Sequence, residues 1–532
     1  MTGAIQTFLL LLGVLCAVAV VARRLNTAPS ILLVVAGVIL AFIPNIPPIE
    51  LAPELVLLVI LPPLIYSAGV AMSWREFRFN LRPITLLAFG CVIFTTCAVA
   101  AACHYLLGLP WAVGFLLGAI VSPPDAVAPI AIARGLGLPR RIVVILEGEG
   151  LANDATALIL YRFAVVAVSA GVFSLPQAAG TFAVIVVGEI AWGIAIGWAS
   201  LHLRRWVADP RVEITLSLMT PYIAYWIPQY LGGSGVLAAV SCGLYVSWRG
   251  PLLIPSATRL QGRFFWDLLI YLIEGFVFLI TGLQARMLYE DAKNLSIADM
   301  LIATALVTVI VIVARFLWVY PATYLPRMIP SIKRWDPPPN WRTPFFISFT
   351  GVRGVVSLAA ALAIPLTIAS GEPFPHRTMI IFVAFGVILF TLVAQGLTLP
   401  AMVRWLGLSH HVRKERSDER DAERAARLEI IATSKERMEK LVAENKVTAE
   451  QAQLLRTRHE RRKEYLPQQN AEKLTEICGQ VLTDLIDEER EHLHRLLSDG
   501  KITDEARRHI ERELDLEEAA LARRYEMDEL PL

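Results

Sequence analysis

The sequence has little charge for its length, and the charge that it has is unevenly distributed. Only 18% of the 532 residues are charged, and 55% are hydrophobic. This scarcity of charge excludes a disordered chain and does not fit an ordinary soluble enzyme. Residues 1–410 contain 25 Lys/Arg and 17 Asp/Glu, whereas residues 411–532 contain 24 and 30. The sequence therefore predicts a membrane domain followed by a soluble tail.

Several chemical signatures are missing as well. The six cysteines lack the spacing of metal ligands, so we infer neither a zinc site nor disulfides. No basic segment precedes the first apolar run, and Arg23 and Arg24 follow it. We therefore interpret this run as a retained helix and not as a cleaved signal peptide.

Apolar runs of about 20 residues, the length that crosses a bilayer, recur along residues 1–405, and we count about thirteen. One alternate set of connecting loops contains nineteen Lys/Arg residues and the other set contains three. Because cytoplasmic loops are enriched in Lys and Arg, this alternation predicts an external N-terminus and a cytoplasmic tail. The predicted fold is an all-α polytopic membrane protein with about thirteen transmembrane helices.

Four ionisable residues are predicted near the middle of the bilayer: Asp125, Asp154, Arg315 and Arg353. A charge at that depth costs at least about 2.5–3.5 kcal/mol. We therefore expect these side chains to face a partner or a water-filled path.

Two of the predicted spans, the fifth and the twelfth, are interrupted. The fifth contains Ser122-Pro123-Pro124-Asp125, and the twelfth contains Gly351-Val352-Arg353-Gly354. Interrupted helices at membrane depth line cavities and offer free carbonyls as ion ligands. Because the two spans are seven apart, they cross in opposite directions. This predicts an inverted repeat with two crossed broken helices, as in transporters with alternating access.

The sixth span contains an acidic stripe. Glu149 and Asn153 are four residues apart and share a helix face, and Glu147 and Asp154, seven apart, share another. The stripe leads from the cytoplasmic side toward Asp154. Glu147 is either a carboxylate on the access path or a charge near the cytoplasmic water layer.

Together these motifs resemble those of the cation/proton antiporter superfamily, in its sodium/proton exchanger branch. The resemblance covers residues 1–405 and includes Leu61-Pro62-Pro63, Pro123-Pro124-Asp125-Ala126, Asn153-Asp154, Ala314-Arg315-Phe316, residues 351–358 and residues 395–400. It implies a multi-pass homodimer in the cell (inner) membrane that exchanges Na+ for H+. No cofactor is expected beyond the transported ions, and no nucleic acid.

The resemblance also implies roles for individual residues. Asp154 would bind either the cation or the proton, with Asn153 beside it and Asp125 as a second carboxylate for Na+. Glu149 would pair with Arg315, joining the sixth span to the eleventh. Arg353 would lie beside the site and help set its potential, and the Asn-Asp form implies electroneutral one-for-one exchange.

The sequence departs from the family pattern at two positions. Ser67 stands where relatives often have an acid, and Gly150 stands where some place a hydroxyl ligand. Either Ser67 and Ser122 supply neutral oxygens to the cation, or water does, since a small hard cation needs several oxygen ligands.

Other functions remain open at this point. The alternatives are K+/H+ antiport on the same fold, a cation channel, and an intramembrane aspartyl protease using Asp125 and Asp154 as its acid/base pair. Residues 1–405 would form the transmembrane antiporter domain. Residues 411–532, with apolar positions at helical spacing, would form a cytoplasmic helical tail that either dimerises or regulates.

Overall fold

The structure is a computed structural model, and the residues that it describes are mostly helical. It describes residues 2–25, 27–44, 51–127, 129–130, 138–170, 174–207, 209–292, 296–368, 370–408 and 412–444, and then 446, 448, 450–454, 456–457, 472–499, 501 and 504–526. Within these residues the only β feature is an isolated bridge between Thr367 and Pro373. The predicted all-α class is confirmed.

The helices of the first 408 residues are labelled here in chain order. They are α1 (Thr2–Leu25), α2 (Pro29–Ala41), α3 (Pro53–Ala71), α4 (Trp74–Phe79), α5 (Leu81–Leu107), α6 (Trp111–Val121), α7 (Arg140–Ala170), α8 (Leu175–Arg204), α9 (Pro210–Tyr230), α10 (Val236–Leu253), α11 (Ser256–Ala292), α12 (Ile297–Tyr324), α13 (Pro330–Trp335), α14 (Arg342–Phe349), α15 (Val355–Leu362) and α16 (Arg377–Leu406).

Nine helices within the described residues are long and apolar enough to cross a membrane: α1, α3, α5, α7, α8, α10, α11, α12 and α16. The four other predicted spans coincide with shorter or less apolar elements, namely α2, α6, α9 and the pair α14 and α15. Length and hydropathy therefore establish a multi-pass membrane protein but do not confirm the predicted count of thirteen.

Small residues allow the helices to pack closely. Helix α2 contacts α11 where Gly37 faces Gly282, and a Cβ added at Gly37 would lie 2.9 Å from the Gly282 Cα. Contacts of this kind are typical of membrane helices, because a glycine lets two backbones approach and gain van der Waals contact.

Both predicted interruptions are present. Helix α6 ends at Val121, and residues 122–126 are not helical, because Pro123 and Pro124 supply no backbone N–H groups. Helix α14 ends at Phe349, and α15 begins at Val355. We refer to residues 122–126 together with residues 350–354 as the crossing point.

The chain divides into two compact units, Met1–Ser409 and His410–Leu532. In the second unit, the described helices include α17 (Val412–Ala443), α18 (Glu472–Ser498) and α19 (Asp504–Glu526). Helices α18 and α19 pack through Ile486 and Leu514. The assignment of residues 1–405 to the membrane domain and of residues 411–532 to a cytoplasmic tail stays a prediction.

Candidate functional site

The two broken helices meet backbone to backbone at the crossing point. The Asp125 N–H donates a hydrogen bond of 2.6 Å to the Val352 carbonyl. The Asp125 carboxylate lies directly against Gly354, so that a Cβ at residue 354 would overlap it. The interruptions therefore lie together, although 227 positions separate the two residues that bond, and glycine is required at position 354.

Arg353 binds the carbonyls that the interruption of α6 leaves free. Its Nε donates to the Val121 carbonyl at 2.9 Å, and its Nη2 donates to the Ser122 carbonyl at 3.4 Å. Its Nη1 donates to the carbonyl of Gly351. The last carbonyls of a helix have no partner within the helix, and a cation at this C-terminal end also interacts favourably with the helix dipole. The buried guanidinium, 1% exposed, therefore serves as a fixed positive charge that stabilises the crossing point.

Helix α7 packs against the same point through Asn153. The Asn153 Nδ2 donates to the Pro124 carbonyl at 2.5 Å. Its Oδ1 is buried and has no hydrogen-bond partner among the residues that the structure describes. One turn earlier, a Cβ at Gly150 would lie 2.8 Å from the Ala126 Cβ. A side chain larger than hydrogen at position 150 would push α7 away from the interrupted segment.

Asp154 follows Asn153 on α7 and is half-buried. Its carboxylate lies within electrostatic range of the Asp125 carboxylate. Asp125 is held in place because its Oδ1 accepts a hydrogen bond of 2.9 Å from the Val127 N–H. Two carboxylates and the unpartnered Asn153 oxygen thus gather where α7 meets the crossing point.

Glu149 and Arg315 form a buried bidentate ion pair. The Arg315 Nη1 and Nη2 lie 2.5 and 2.8 Å from the two Glu149 carboxylate oxygens, and both side chains are 2% exposed. The Arg315 Nε also donates to the Ile347 carbonyl at 3.0 Å. This pair joins α7 to α12 and to α14, the first half of the broken helix.

The two predicted serine hydroxyls make hydrogen bonds with backbone carbonyls and a threonine, and their role as cation ligands stays a prediction. Ser67 donates to the Leu64 carbonyl of its own helix at 2.9 Å. The Ser122 hydroxyl accepts from Thr96 at 3.1 Å and donates to the Ala119 carbonyl at 3.4 Å. Glu147 is half-buried on α7, a position compatible with both of its interpretations.

Sequence reasoning missed two threonines that hold the crossing point. Thr96 on α5 donates its hydroxyl hydrogen to Ser122, and the Thr391 hydroxyl on α16 accepts the Arg353 N–H at 3.1 Å. Thr391 begins a π-helical turn, Thr391–Gln395, which often marks a functional site. Each lies in an apolar span that contains other threonines, so the sequence has no pattern that distinguishes it from them.

Comparisons with known proteins identify relatives of this chain. The family model described as sodium/hydrogen exchanger, transmembrane, matches residues 9–405. The chain is 37% identical over 398 residues to a protein named as an uncharacterised Na+/H+ exchanger of Mycobacterium tuberculosis, a match that covers 74% of this chain and 73% of that protein.

Two further relatives are named for the cations that they exchange. The Na+/H+ antiporter ApNhaP of Aphanothece halophytica is 32% identical over 381 residues, covering 71% of this chain and 70% of that protein. The sodium, potassium, lithium and rubidium/H+ antiporter of Bacillus subtilis is 32% identical over 413 residues, covering 74% and 60%.

A solved structure has the same fold. The sodium proton antiporter MjNhaP1 of Methanocaldococcus jannaschii at pH 8 matches with a TM-score of 0.60 and 19% identity, over 77% of this chain and 99% of that one. At this identity the match establishes the fold alone.

Proposed function

The chain belongs to the sodium/hydrogen exchanger family, and from this premise we propose that it exchanges Na+ for a proton at one carboxylate, Asp154. Cation/proton antiport follows from the family. The observation that supports Asp154 is its position on α7, where this helix packs against the crossing point. The side chain is half-buried there, next to Asn153 and within electrostatic range of Asp125. Oxygen atoms of this kind suit a small hard cation.

The proposed mechanism is competition between two cations for Asp154. Desolvation favours the protonated carboxyl, whereas a bound Na+ favours its ionised form. Binding of Na+ therefore expels the proton, and an excess of protons expels Na+. Either loaded form neutralises the carboxylate, so it crosses the apolar barrier more easily than the empty anion does.

The surrounding charges support electroneutral one-for-one exchange. The amide of Asn153 does not titrate, and the charges of Glu149 and Arg315 neutralise each other. Arg353 is bound to backbone carbonyls. Asp154 is then the group whose charge changes in each cycle, while Asp125 contributes a second carboxylate for Na+.

The range of transported cations is a second proposal. The relative from Bacillus subtilis is named for sodium, potassium, lithium and rubidium. In this chain Ser67 stands where relatives often have an acid and Gly150 stands where some place a hydroxyl ligand, so the family pattern does not determine the preferred cation. K+/H+ exchange is therefore the alternative to be measured beside Na+/H+ exchange.

The remaining assignments extend from the family and the loop charges. We propose a homodimer in the cell (inner) membrane, with the N-terminus outside and residues 411–532 in the cytoplasm, as the distribution of Lys and Arg favours. The aspartyl protease hypothesis is wrong, because the chain belongs to a family of exchangers. A cation channel would conduct without coupling to protons, which a flux assay distinguishes.

Reconstitution into proteoliposomes tests the proposal. With the membrane potential clamped, Na+ added outside should drive proton movement, and lowering the pH should raise the Km for Na+ while the maximal rate stays nearly constant. Asp154→Asn should abolish exchange, because an amide can neither release a proton nor carry a charge. K+ and Li+ are then added in turn to give the cation range.

The matched control is Asp209→Asn, an exposed aspartate that caps α9 by accepting from the Arg211 N–H. Asparagine caps helices equally well, so this variant should transport as the wild type does. Normal exchange by Asp154→Asn, or a Km for Na+ that is independent of pH, would refute the proposed role of Asp154.

A further inference from the structure

Three arginines from different parts of the fold converge on one buried carboxylate outside the proposed ion site. Asp336, 2% exposed, directly follows α13. Its carboxylate accepts hydrogen bonds from the Arg141 Nη2 at 2.8 Å, from the Arg327 Nη2 at 2.7 Å and from the Arg82 Nη2. Arg82 and Arg141 lie in the first turns of α5 and α7, and Arg327 follows α12. We refer to Arg82, Arg141 and Arg327 as the arginine cluster.

The arginine cluster has more positive charge than its acid can neutralise. Three guanidinium groups and one carboxylate leave two positive charges in excess. Glu76 on α4 does not offset them, because it forms a two-point ion pair with Arg140 at 3.0 and 2.8 Å. Neither α5 nor α7 has an acidic residue in its first turn, so the positive ends of these two helix dipoles add to the excess. The position therefore attracts an anion.

Arg82 also has hydrogen-bond donors that are not used. Its Nε and Nη1 are buried and have no hydrogen-bond partner in the part of the chain that the structure describes. An unpaired donor on a charged group is costly, and a guanidinium group can satisfy several N–H groups at once on the oxygens of a phosphate. The side chains of Arg82 and Arg141 are 22% and 37% exposed, so a ligand can approach the cluster.

Two exposed aromatic rings border the arginine cluster. The Arg141 guanidinium lies over the Phe79 ring, 5.8 Å from its centre, and the centres of the Phe79 and Trp335 rings lie 5.4 Å apart. Both aromatic side chains are exposed. In membrane proteins such side chains concentrate at the level of the lipid headgroups. A phosphate with apolar chains beside it therefore matches the cluster and the two rings together.

We propose that the arginine cluster binds the phosphate group of an anionic phospholipid. Basic pockets between membrane helices bind headgroups of this kind. The phosphate accepts hydrogen bonds from Arg82 and Arg141, whose side chains are partly exposed, and Asp336 holds the guanidinium groups in position. The acyl chains lie along Phe79 and Trp335. A bound lipid would then join the ends of α5, α7 and α12, which goes beyond the exchange reaction itself.

The test is a titration of the full-length protein in a neutral detergent with phosphatidylglycerol, followed by the thermal midpoint. A ligand of the folded state raises the midpoint by mass action, and phosphatidylglycerol should do so at lower concentration than phosphatidylcholine, which has no net charge. Arg82→Gln and Arg141→Gln should each need about fivefold more phosphatidylglycerol for the same rise above their own lipid-free midpoints, because each removes one charge that attracts the phosphate. If Arg82→Gln does not fold, Arg141→Gln decides the result.

The matched control is Arg249→Gln. Arg249 is exposed, belongs to the same alternate set of basic loops, and lies over the Trp248 ring at 4.0 Å. It therefore resembles Arg141 on Phe79 but is not part of the arginine cluster, and this variant should titrate as the wild type does. Equal weakening by Arg249→Gln would mean that the lipid responds only to total charge, and the inference would be overturned. Wild-type titration of both cluster variants would overturn it as well.

A second arm identifies the source of the phosphate. Inorganic phosphate replaces the lipid, while the Na+ concentration and the ionic strength are held constant. It should raise the midpoint much less than phosphatidylglycerol does, because it has no acyl chains to contact the two rings. An equal rise at equal concentration would show that the cluster binds a free anion, and it would overturn the lipid assignment. Neither arm measures transport, so both results are independent of the role of Asp154.

Discussion

The buried ion pair of Glu149 and Arg315 offers a test of how the helices around the site are held together. Its two charges are desolvated together, at 2% exposure and with contacts of 2.5 and 2.8 Å. Removing one charge leaves the other buried without a partner, which costs about 3–5 kcal/mol. Glu149→Gln should therefore destabilise the protein strongly, although the side chain hardly changes in size.

The expected shift in thermal midpoint is on the order of 5–10 °C, measured by unfolding of the detergent-solubilised protein. The double variant Glu149→Gln, Arg315→Met should recover most of this loss, because neither charge then remains buried. The matched control Glu290→Gln breaks a pair with Arg286 whose side chains are 46% and 52% exposed, and it should change stability by less than about 1 kcal/mol. An unshifted midpoint for Glu149→Gln, or a double variant less stable than either single one, would refute this reasoning.

Two further predictions concern the crossing point and a buried carboxylate that follows α13. Gly354→Ala should abolish exchange, because the added Cβ would overlap the Asp125 carboxylate. The control Gly188→Ala should exchange as the wild type does, because no neighbouring atom lies within 4 Å of its added Cβ. Normal uptake by Gly354→Ala would contradict the geometry. At Asp336, burial raises the pKa, but Arg141 and Arg327 outweigh it and hold the carboxyl pKa below its ordinary value. A carboxyl whose pKa is lowered by folding stabilises the fold at pH values above its ordinary pKa, and this stabilisation is lost as the pH falls through the pKa of the folded state. Asp336→Asn should therefore lower the thermal midpoint at neutral pH. Its midpoint should then fall less on acidification than that of the wild type. Equal acid sensitivity of the two proteins would show that the arginines do not act in this way.

The sequence predicted those features that depend on local chemistry. Pro123 and Pro124 remove backbone donors wherever they lie, so the break after α6 could be located without a structure. The resemblance also implied the pairing of Glu149 with Arg315. Thr96 and Thr391 could not be found in this way, because each is an ordinary residue in its own helix and is distinguished only by its neighbours from other helices.

The sequence by itself determined that this is a membrane protein, that it is helical, and where two of its helices must break. Composition, hydropathy and proline chemistry act over short distances along the chain, so they can be evaluated without a structure. Only the tertiary structure decided that the breaks meet, that Ser122 turns its hydroxyl toward Thr96, and that Arg353 binds the carbonyl of Val121, 232 positions away. Such contacts depend on how helices are oriented against one another in three dimensions, and no local preference of a residue specifies that orientation.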